Sequence, residues 1–562
     1  MAVALGAFVL LLFARSVGHD FVSLDDPAYV LENPPVRQGL TLPGLGWAFS
    51  SLHSFNWHPL TWLSHMLDVS LFGLDPAGHH LMSAALHALT TVVLFQALRR
   101  MTRAPWPSLL VAALFAFHPL RVESVAWVAE RKDVLSGLFF AVTLLAYGRY
   151  TQRPGRARYA TVFVSAALGL LCKPTAVTLP IVLLLLDLWP LSRREPLRRL
   201  LLEKLPLLGL SAVSALITLV AQGSGGAVRG LGEIPFWVRI ANALVSCVVY
   251  LEKTVWPRDL AVFYPHAALL GRAESLVLPA LASGLLLLAI TALAYWRRRR
   301  EPYLLVGWLW YLVALVPMLG LVQVGGQALA DRYTYLPSMG LALAAVWGAR
   351  DLFHRLPLHP AWGVAGALLG VALLGSLSWR QLSVWRDSES LYSHAVRVTR
   401  DNYFAHTSLA RVQRAAGKLP RARAELATAL AAKPDYMKAR IELGEVLERM
   451  GDLEQASLEL DRVRRARPHN ARVHGALGRV RLRQGRLDQA VARLERAVAL
   501  DPAFAEAHDN LGLVYLEQGR LEDARERFER AAALRPDAAP PRVHLRELRQ
   551  KLKSRAGGAG GG

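Results

Sequence analysis

Cysteine is nearly missing. The chain has two in 562 residues, Cys172 and Cys247, and both sit inside apolar runs. That leaves no basis for a disulfide framework, and no Cys/His spacing reads as a zinc site. Acidic residues are also scarce, 43 against 65 Lys and Arg, for a formal net charge of +22. Such an excess would suit a nucleic-acid binder, but the basic residues fall in short clusters between apolar segments, which is the pattern of cytoplasmic loops in a membrane protein. Met1 to Val17 has neither a basic n-region nor a small-residue cleavage site, so it reads as a signal anchor kept as the first transmembrane helix. No inverted repeat and no Gly/Pro-broken helix pair in matching halves is evident, which ranks a transporter last.

What the chain does have is apolar residue in excess, 53% of the total, spread over a length too great for one core. Candidate spans are 1–18, 79–100, 105–120, 134–150, 159–172, 175–190, 200–222, 274–296, 302–320, 335–350 and 361–379. Several are shorter than the roughly 20 residues a straight span needs. With eleven spans and a cytoplasmic N-terminus, the clusters Arg99–Arg103, Arg149–Arg158, Arg193–Arg199 and Arg297–Arg300 all lie inside. The segment 236–256 is apolar but carries Arg239, Asn242, Glu252 and Lys253, so it is expected to lie on the outer surface or to be re-entrant and covered by protein.

The outer loops then hold most of the unusual charge. The first, 19–78, contains the adjacent acids Asp25-Asp26 directly after the first apolar segment. Two neighbouring carboxylates there repel each other and lose hydration, which points to function; Asp-Asp-Pro also suits a solvated turn. Trp47, Trp57 and Trp62 suit the headgroup level, and short interfacial helices are expected around them as a lid. His53, His58, His65, His79, His80 and His87 resemble a metal cluster, but no acid or cysteine is evident at ligand spacing on a shared helix face, so no metal is expected. The second outer loop concentrates Glu123, Glu130, Arg131, Lys132 and Asp133, read either as a salt-bridged loop or as a second acid with cations for an anionic substrate. Lys173, between two apolar runs, either snorkels or binds a phosphate. Asp331-Arg332-Tyr333-Thr334-Tyr335 opens a further span, with arginine suited to a bidentate phosphate contact and the tyrosines to anchoring.

From about residue 400 the pattern changes to a period of 34. Pro434, Pro468, Pro502 and Pro536 keep that spacing, as do Gly417, Gly451, Gly485 and Gly519, and Ala422, Ala456, Ala490 and Ala524. This resembles four tetratricopeptide repeats over 403–538, although His406, Arg440, His474 and His508 occupy the repeat's tryptophan position. Residues 539–552 read as a capping helix and 553–562 as a disordered Gly-rich tail. The expected fold is therefore all-α: a membrane domain over 1–380, a linker helix at 381–402, and a helical-repeat solenoid that binds a protein partner.

The stretches FVSLDDPAYVLENPPVRQGLT, NWHPLTWLSHMLD, GHHLMSAALHAL, FHPLRVESVAWVAERKDVLS and ADRYTYLP resemble the transmembrane and tetratricopeptide-repeat-containing proteins and their bacterial relatives, glycosyltransferases of the GT-C type. The resemblance covers nearly the whole chain. It implies a polyprenyl-phosphate-linked sugar as donor, no obligatory cofactor, a hydroxyl acceptor such as protein Ser/Thr, and chemistry on the non-cytoplasmic face of what composition suggests is a bacterial inner membrane. It carries the catalytic base onto Asp25 or Asp26, with Glu123 positioning the acceptor or sharing the base role. Arg131, Lys132, Lys173 and Arg332 become candidates for the donor phosphate, with Asp331, Tyr333, Tyr335 and His58 in support. The competing reading is a non-catalytic membrane scaffold, which would leave Asp25 facing bulk water rather than a cavity shared with Arg332 or Lys173.

Overall fold

The computed structural model describes residues 1–224, 229–357, 359–536 and 539–558, with backbone alone at 224 and 551–558. It is all-α apart from one short antiparallel pair, Tyr264–Pro265 with Gln327–Leu329. Two compact units divide it, Met1–Arg400 and Asp401–Gly562. The stretch expected as a linker forms the helix Ser388–Val398, which belongs to the first unit.

Every segment expected to span is helical in the first unit. Among the described residues, five helices are long and apolar enough to cross a bilayer: Pro76–Thr102, Val128–Gln152, Leu197–Gly223, Ala273–Arg297 and Pro360–Trp385. The pair Pro105–Phe117 and Pro119–Ala126, bent by 59°, makes six if it counts as one span. Three further apolar helices, Ala2–Gly18, Pro174–Leu188 and Pro302–Met318, are shorter. The expected count of eleven is thus not reached by length and composition, because these segments end at prolines and 3-10 turns before a full bilayer thickness.

Burial sorts the helices. Val128–Gln152 is 72% buried over its apolar window and packs against Pro76–Thr102 and Arg156–Cys172. Pro360–Trp385 is 6% buried over its window and presents Leu368, Leu369 and Leu373 outward. A helix apolar all round and uncovered has no stable home in water; the hydrocarbon of a membrane supplies the missing partner. Phe236–Val255 is different. It turns Arg239, Asn242, Ser246 and Lys253 inward and Phe236, Trp237 and Ile240 outward. Arg239 Nε donates to the Ile234 carbonyl at 3.0 Å and Asn242 Nδ2 to the Ala328 carbonyl at 2.8 Å, so Arg239, Asn242 and Lys253 are covered by the chain itself, while Glu252 stays exposed.

The second unit is a stack of helix pairs: Tyr403–Ala415 with Leu419–Ala432, Met437–Met450 with Leu453–Ala466, Ala471–Arg483 with Leu487–Leu500, and Ala505–Glu517 with Leu521–Leu534. A last helix, Ala539–Gly558, follows, and the rest of the Gly-rich tail lies outside the described residues. Gly451 ends its helix at φ 89°, a conformation that side chains with a Cβ avoid. Gly478 serves differently: a Cβ there would lie 2.4 Å from Leu494 Cγ, so its absence lets the paired helices close. The missing tryptophans are replaced by polar ties. His406 contacts Glu425 and Arg440 contacts Glu459, each at 2.6 Å, while His474 and His508 donate to the carbonyls of Pro468 and Pro502.

Leu494 is fully buried under Gly478. Leu494→Ala should destabilise the repeat unit by about 2–5 kcal/mol, the usual cost of such a cavity. Limited proteolysis of the full chain should then cut first between residues 470 and 500; unchanged protection there would contradict this packing.

Candidate functional site

One cavity of about 510 Å³ in the first unit collects charges from the loops expected to be outer ones. Its charged lining consists of Asp25, Glu130, Lys132, Lys173 and Arg332, with His58, Tyr29 and Tyr333 beside them. Two carboxylates thus face three cations across the wall. Each is aimed by local chain chemistry. Lys173 ends the helix Arg156–Cys172 in an extended conformation, because Pro174 denies the preceding residue the helical region. Glu130 closes the 3-10 turn Val128–Glu130 at the N-terminus of the helix Arg131–Gln152, where the helix dipole favours a negative charge. Arg332 lies in the 3-10 turn Asp331–Thr334, held just after the short strand pair.

Glu130 is the hub. Its Oε1 lies 3.2 Å from both Lys132 Nζ and Arg332 Nε, and its Oε2 lies 3.1 Å from Lys173 Nζ. Lys173 also meets Asp133 Oδ1 at 2.6 Å, and Arg332 Nη1 meets Glu123 Oε1 at 2.5 Å. The Arg332 guanidinium lies over the rings of Trp127 and Tyr333, at 5.2 and 5.0 Å, and Lys132 lies 4.6 Å over Tyr29. Carboxylates beside Arg332 hold its guanidinium firmly protonated. His58 lines the cavity as an imidazole stacked 4.7 Å from Trp62; burial and the nearby lysines push its pKa well below the ordinary value, so it is neutral at pH 7.

The acid pair splits. Asp25 is half-buried and lines the cavity. Asp26 is buried and turned the other way, its Oδ2 accepting from Val22 N at 2.9 Å and its Oδ1 from Ala129 N at 2.8 Å. It clasps the loop after the first helix to the Val128–Glu130 turn. Burial pushes the Asp26 carboxyl up to about 7, against the two backbone donors that favour its charged form.

Other expected residues are drawn elsewhere. Arg131 does not line the cavity; its guanidinium is buried among Asp68, Ser64, Ser83 and the His79 carbonyl, so it is spent on joining helices. Glu123 stands behind Arg332 and fixes it through both its backbone N–H and its side chain. Asp331 accepts from Tyr264 Oη and Ala261 N. Tyr335 is a packing anchor whose hydroxyl meets His87 Nδ1 at 2.7 Å. Glu130 and Asp133 as direct partners of the cavity lysines were not singled out from the sequence. The available signal was a run of four consecutive charges, Glu130 to Asp133, beside an apolar span.

The chain is an all-α membrane protein with a repeat unit, and comparison with known proteins extends that description. A family model for dolichyl-phosphate-mannose-protein mannosyltransferase matches residues 59–221, and tetratricopeptide-repeat models match 401–480, 478–519 and 505–538. Protein O-mannosyl-transferase TMTC1 of Homo sapiens is 26% identical over 490 residues, 77% of this chain and 55% of that protein. Protein O-mannosyl-transferase TMTC4 of Homo sapiens is 27% identical over 72% of this chain and 62% of its own length. Protein O-mannosyl-transferase Tmtc2 of Drosophila melanogaster reaches 33% over 32% of this chain and 20% of its own. The chain is therefore related to these O-mannosyltransferase-like proteins, and its match spans between about half and two thirds of the length of the two human relatives.

The raised Asp26 value belongs to the folded state. Its contribution to stability is complete below the ordinary carboxylate pKa and is lost as pH rises through about 7. Asp26→Asn removes that dependence and one arm of the clasp, a loss of about 1–3 kcal/mol. In melting experiments the stability of the parent relative to the variant should be greatest at about pH 4 and fall steadily up to about pH 8; a gap that widens with pH would reverse the assignment.

Proposed function

We propose that the protein is an integral membrane glycosyltransferase. It moves a sugar from a polyprenyl-phosphate donor to a hydroxyl, in the first instance a protein Ser or Thr, on the non-cytoplasmic face of a bacterial inner membrane, and its repeats recruit the acceptor. One observation carries this reading: the single cavity that Asp25 shares with Lys132, Lys173 and Arg332. The relatives' names and the mannosyltransferase model over 59–221 agree with it.

The chemistry needs few parts. The acceptor oxygen attacks the anomeric carbon, and the Asp25 carboxylate takes its proton. The bond from that carbon to the phosphate oxygen breaks, and the lipid phosphate leaves with the electron pair. Its charge meets Lys173 and Arg332, already oriented and poorly hydrated, so little reorganisation is needed as charge develops. A single displacement inverts the sugar carbon. Lys132 sits over Tyr29 and completes the cationic side. Ala215, Thr218, Leu219 and Gln222 line the cavity from the helix Leu197–Ser224. The apolar window of that helix is only 22% buried. A polyprenyl tail can therefore lie along it in the bilayer while the phosphate reaches the cations.

In membranes supplied with polyprenyl-phosphate mannose, Asp25→Asn should lower transfer by about 10²–10⁴-fold, the range for removing a general base. Asp26→Asn should retain far more activity wherever it is folded. Equal activity in the parent and Asp25→Asn would remove the base from this site. Glycoproteomics that finds no lost modification when the gene is deleted would favour the scaffold.

Lys173→Met should raise KM for the lipid-linked sugar, because it removes one of the three cations that line the cavity; it also leaves Glu130 and Asp133 short of a partner, so KM is measured on variant protein that still melts cooperatively. A KM equal to that of the parent would show that the phosphate sits elsewhere.

A further inference from the structure

Outside the cavity lining, where His65 lies 6.1 Å ring to ring from Tyr29, three side chains converge without hydrogens to share. His65 and Asp68 lie three residues apart on the helix Pro59–Phe72, and His79 faces them from the first turn of Pro76–Thr102. One donor atom from each lies within 4.8 Å of the other two, and all three residues are fully buried. The His65–Asp68 spacing puts an imidazole and a carboxylate on one helix face, a pairing that reading the histidines alone had passed over.

The hydrogen-bond pattern is what singles this cluster out. His79 Nε2 lies 3.1 Å from the Gly73 carbonyl, which can only accept, so that nitrogen carries the proton. In the neutral ring Nδ1 is then a lone pair, yet it faces Asp68 Oδ2 at 3.4 Å. Two lone pairs do not attract each other; a cation between them reconciles the contact. A backbone carbonyl on the far ring nitrogen is also the usual support of a metal-bound histidine. Among the described residues, His65 has no hydrogen-bond partner at either ring nitrogen, and Asp68 Oδ1 and His79 Nδ1 have none either. Arg131 Nη2 takes Asp68 Oδ2 at 2.7 Å and leaves Oδ1 open.

We propose that His65, Asp68 and His79 bind a divalent transition-metal ion, zinc by the preference of two imidazoles and one carboxylate. Bonds of about 2.0–2.2 Å draw the three donors closer than they now stand, and the fourth position falls to water or hydroxide. The ion staples Pro59–Phe72 to Pro76–Thr102, and through Arg131 it steadies the start of Arg131–Gln152, which carries Glu130 and Lys132 to the cavity. Its place is structural, set apart from the transfer chemistry, and it does not depend on the glycosyltransferase reading.

The test uses the full-length protein in detergent or nanodiscs, dialysed against chelator-treated buffer. Elemental analysis should find close to one zinc per chain in the parent and in His80→Ala, a buried neighbour outside the cluster, and little in His65→Ala or His79→Ala. Because those variants could fail to fold, chelator-stripped parent is also titrated with Co²⁺. A visible d–d absorption saturating at one equivalent, with a higher melting temperature than the stripped protein, is the expected result. No metal in the parent together with no Co²⁺ spectrum would overturn the site and leave a doubly protonated His79 to explain the contact. Equal metal in the parent and the His65→Ala, His79→Ala pair would overturn it too.

Discussion

A buried carboxylate shared by three cations is the constraint around which the membrane unit is arranged. Taking a charge out of water costs several kcal/mol even after relaxation, and a pair recovers that only with good geometry and further hydrogen bonds. Glu130 meets the condition by facing Lys132, Lys173 and Arg332 at 3.1–3.2 Å. These partners come from three separate stretches of chain, so the knot forms only when the first 340 or so residues are in place. Asp133 and Glu123 brace Lys173 and Arg332 from behind, so the three cations reach the cavity wall with their positions fixed.

The fate of the acid pair shows how one position separates structure from chemistry. A turn of π-helix, Pro27–Leu31, follows the two acids, and the Asp25 carbonyl accepts from Tyr29 N at 2.9 Å. Successive side chains on such a turn point in widely different directions. Asp26 goes inward to two backbone amides, and Asp25 goes to the cavity. A carboxylate with both oxygens accepting from fixed backbone donors has little capacity left to take a substrate proton. The residue with the conspicuous shift is therefore the strut, and the half-buried one is the candidate base. The same loop is also tied through Ser23 N, which donates to Ser388 Oγ at 2.8 Å, and the stretch before the Val128–Glu130 turn is held nearby by Trp127 stacking on Trp385 at 5.9 Å.

Periodic features were legible in the sequence; convergence was not. The 34-residue spacing of Pro, Gly and Ala located the helix pairs, because each repeat solves the same local packing problem, as Gly478 against Leu494 illustrates. Hydropathy located the helical segments, but it does not register where a proline or a 3-10 turn stops a helix, so among the described residues five of them are long and apolar enough to cross a bilayer unbroken and three others are shorter. Charge near lipid led to Asp25, Lys132, Lys173 and Arg332, which the fold brings to one cavity. It led equally to Arg131, Glu123 and Asp331, which the fold uses as braces. Composition gives a buried brace and a working charge the same signal. Only long-range partners, such as Asp68 for Arg131 across 63 positions, tell them apart.

The short apolar helices, which first look like a defect in the topology, explain where a wet cavity can exist in such a protein. Pro174–Leu188 has 15 residues, roughly 22 Å at 1.5 Å per residue, against a hydrocarbon core of about 30 Å. Backbone that is not helical at membrane depth leaves polar groups that lipid cannot satisfy, so it survives only where protein covers it or water reaches it. Two of the three short helices spend their broken ends on the cavity: Pro174, Thr175 and Val177 from one, Pro317 and Met318 from the other. The chain stops these helices early, and the space left over is the one lined by Asp25, Lys173 and Arg332. Lengthening either helix to a full span would fill that space with side chains and bury the cations against lipid. The incomplete spans and the charged pocket are therefore two consequences of the same breaks in the helical backbone.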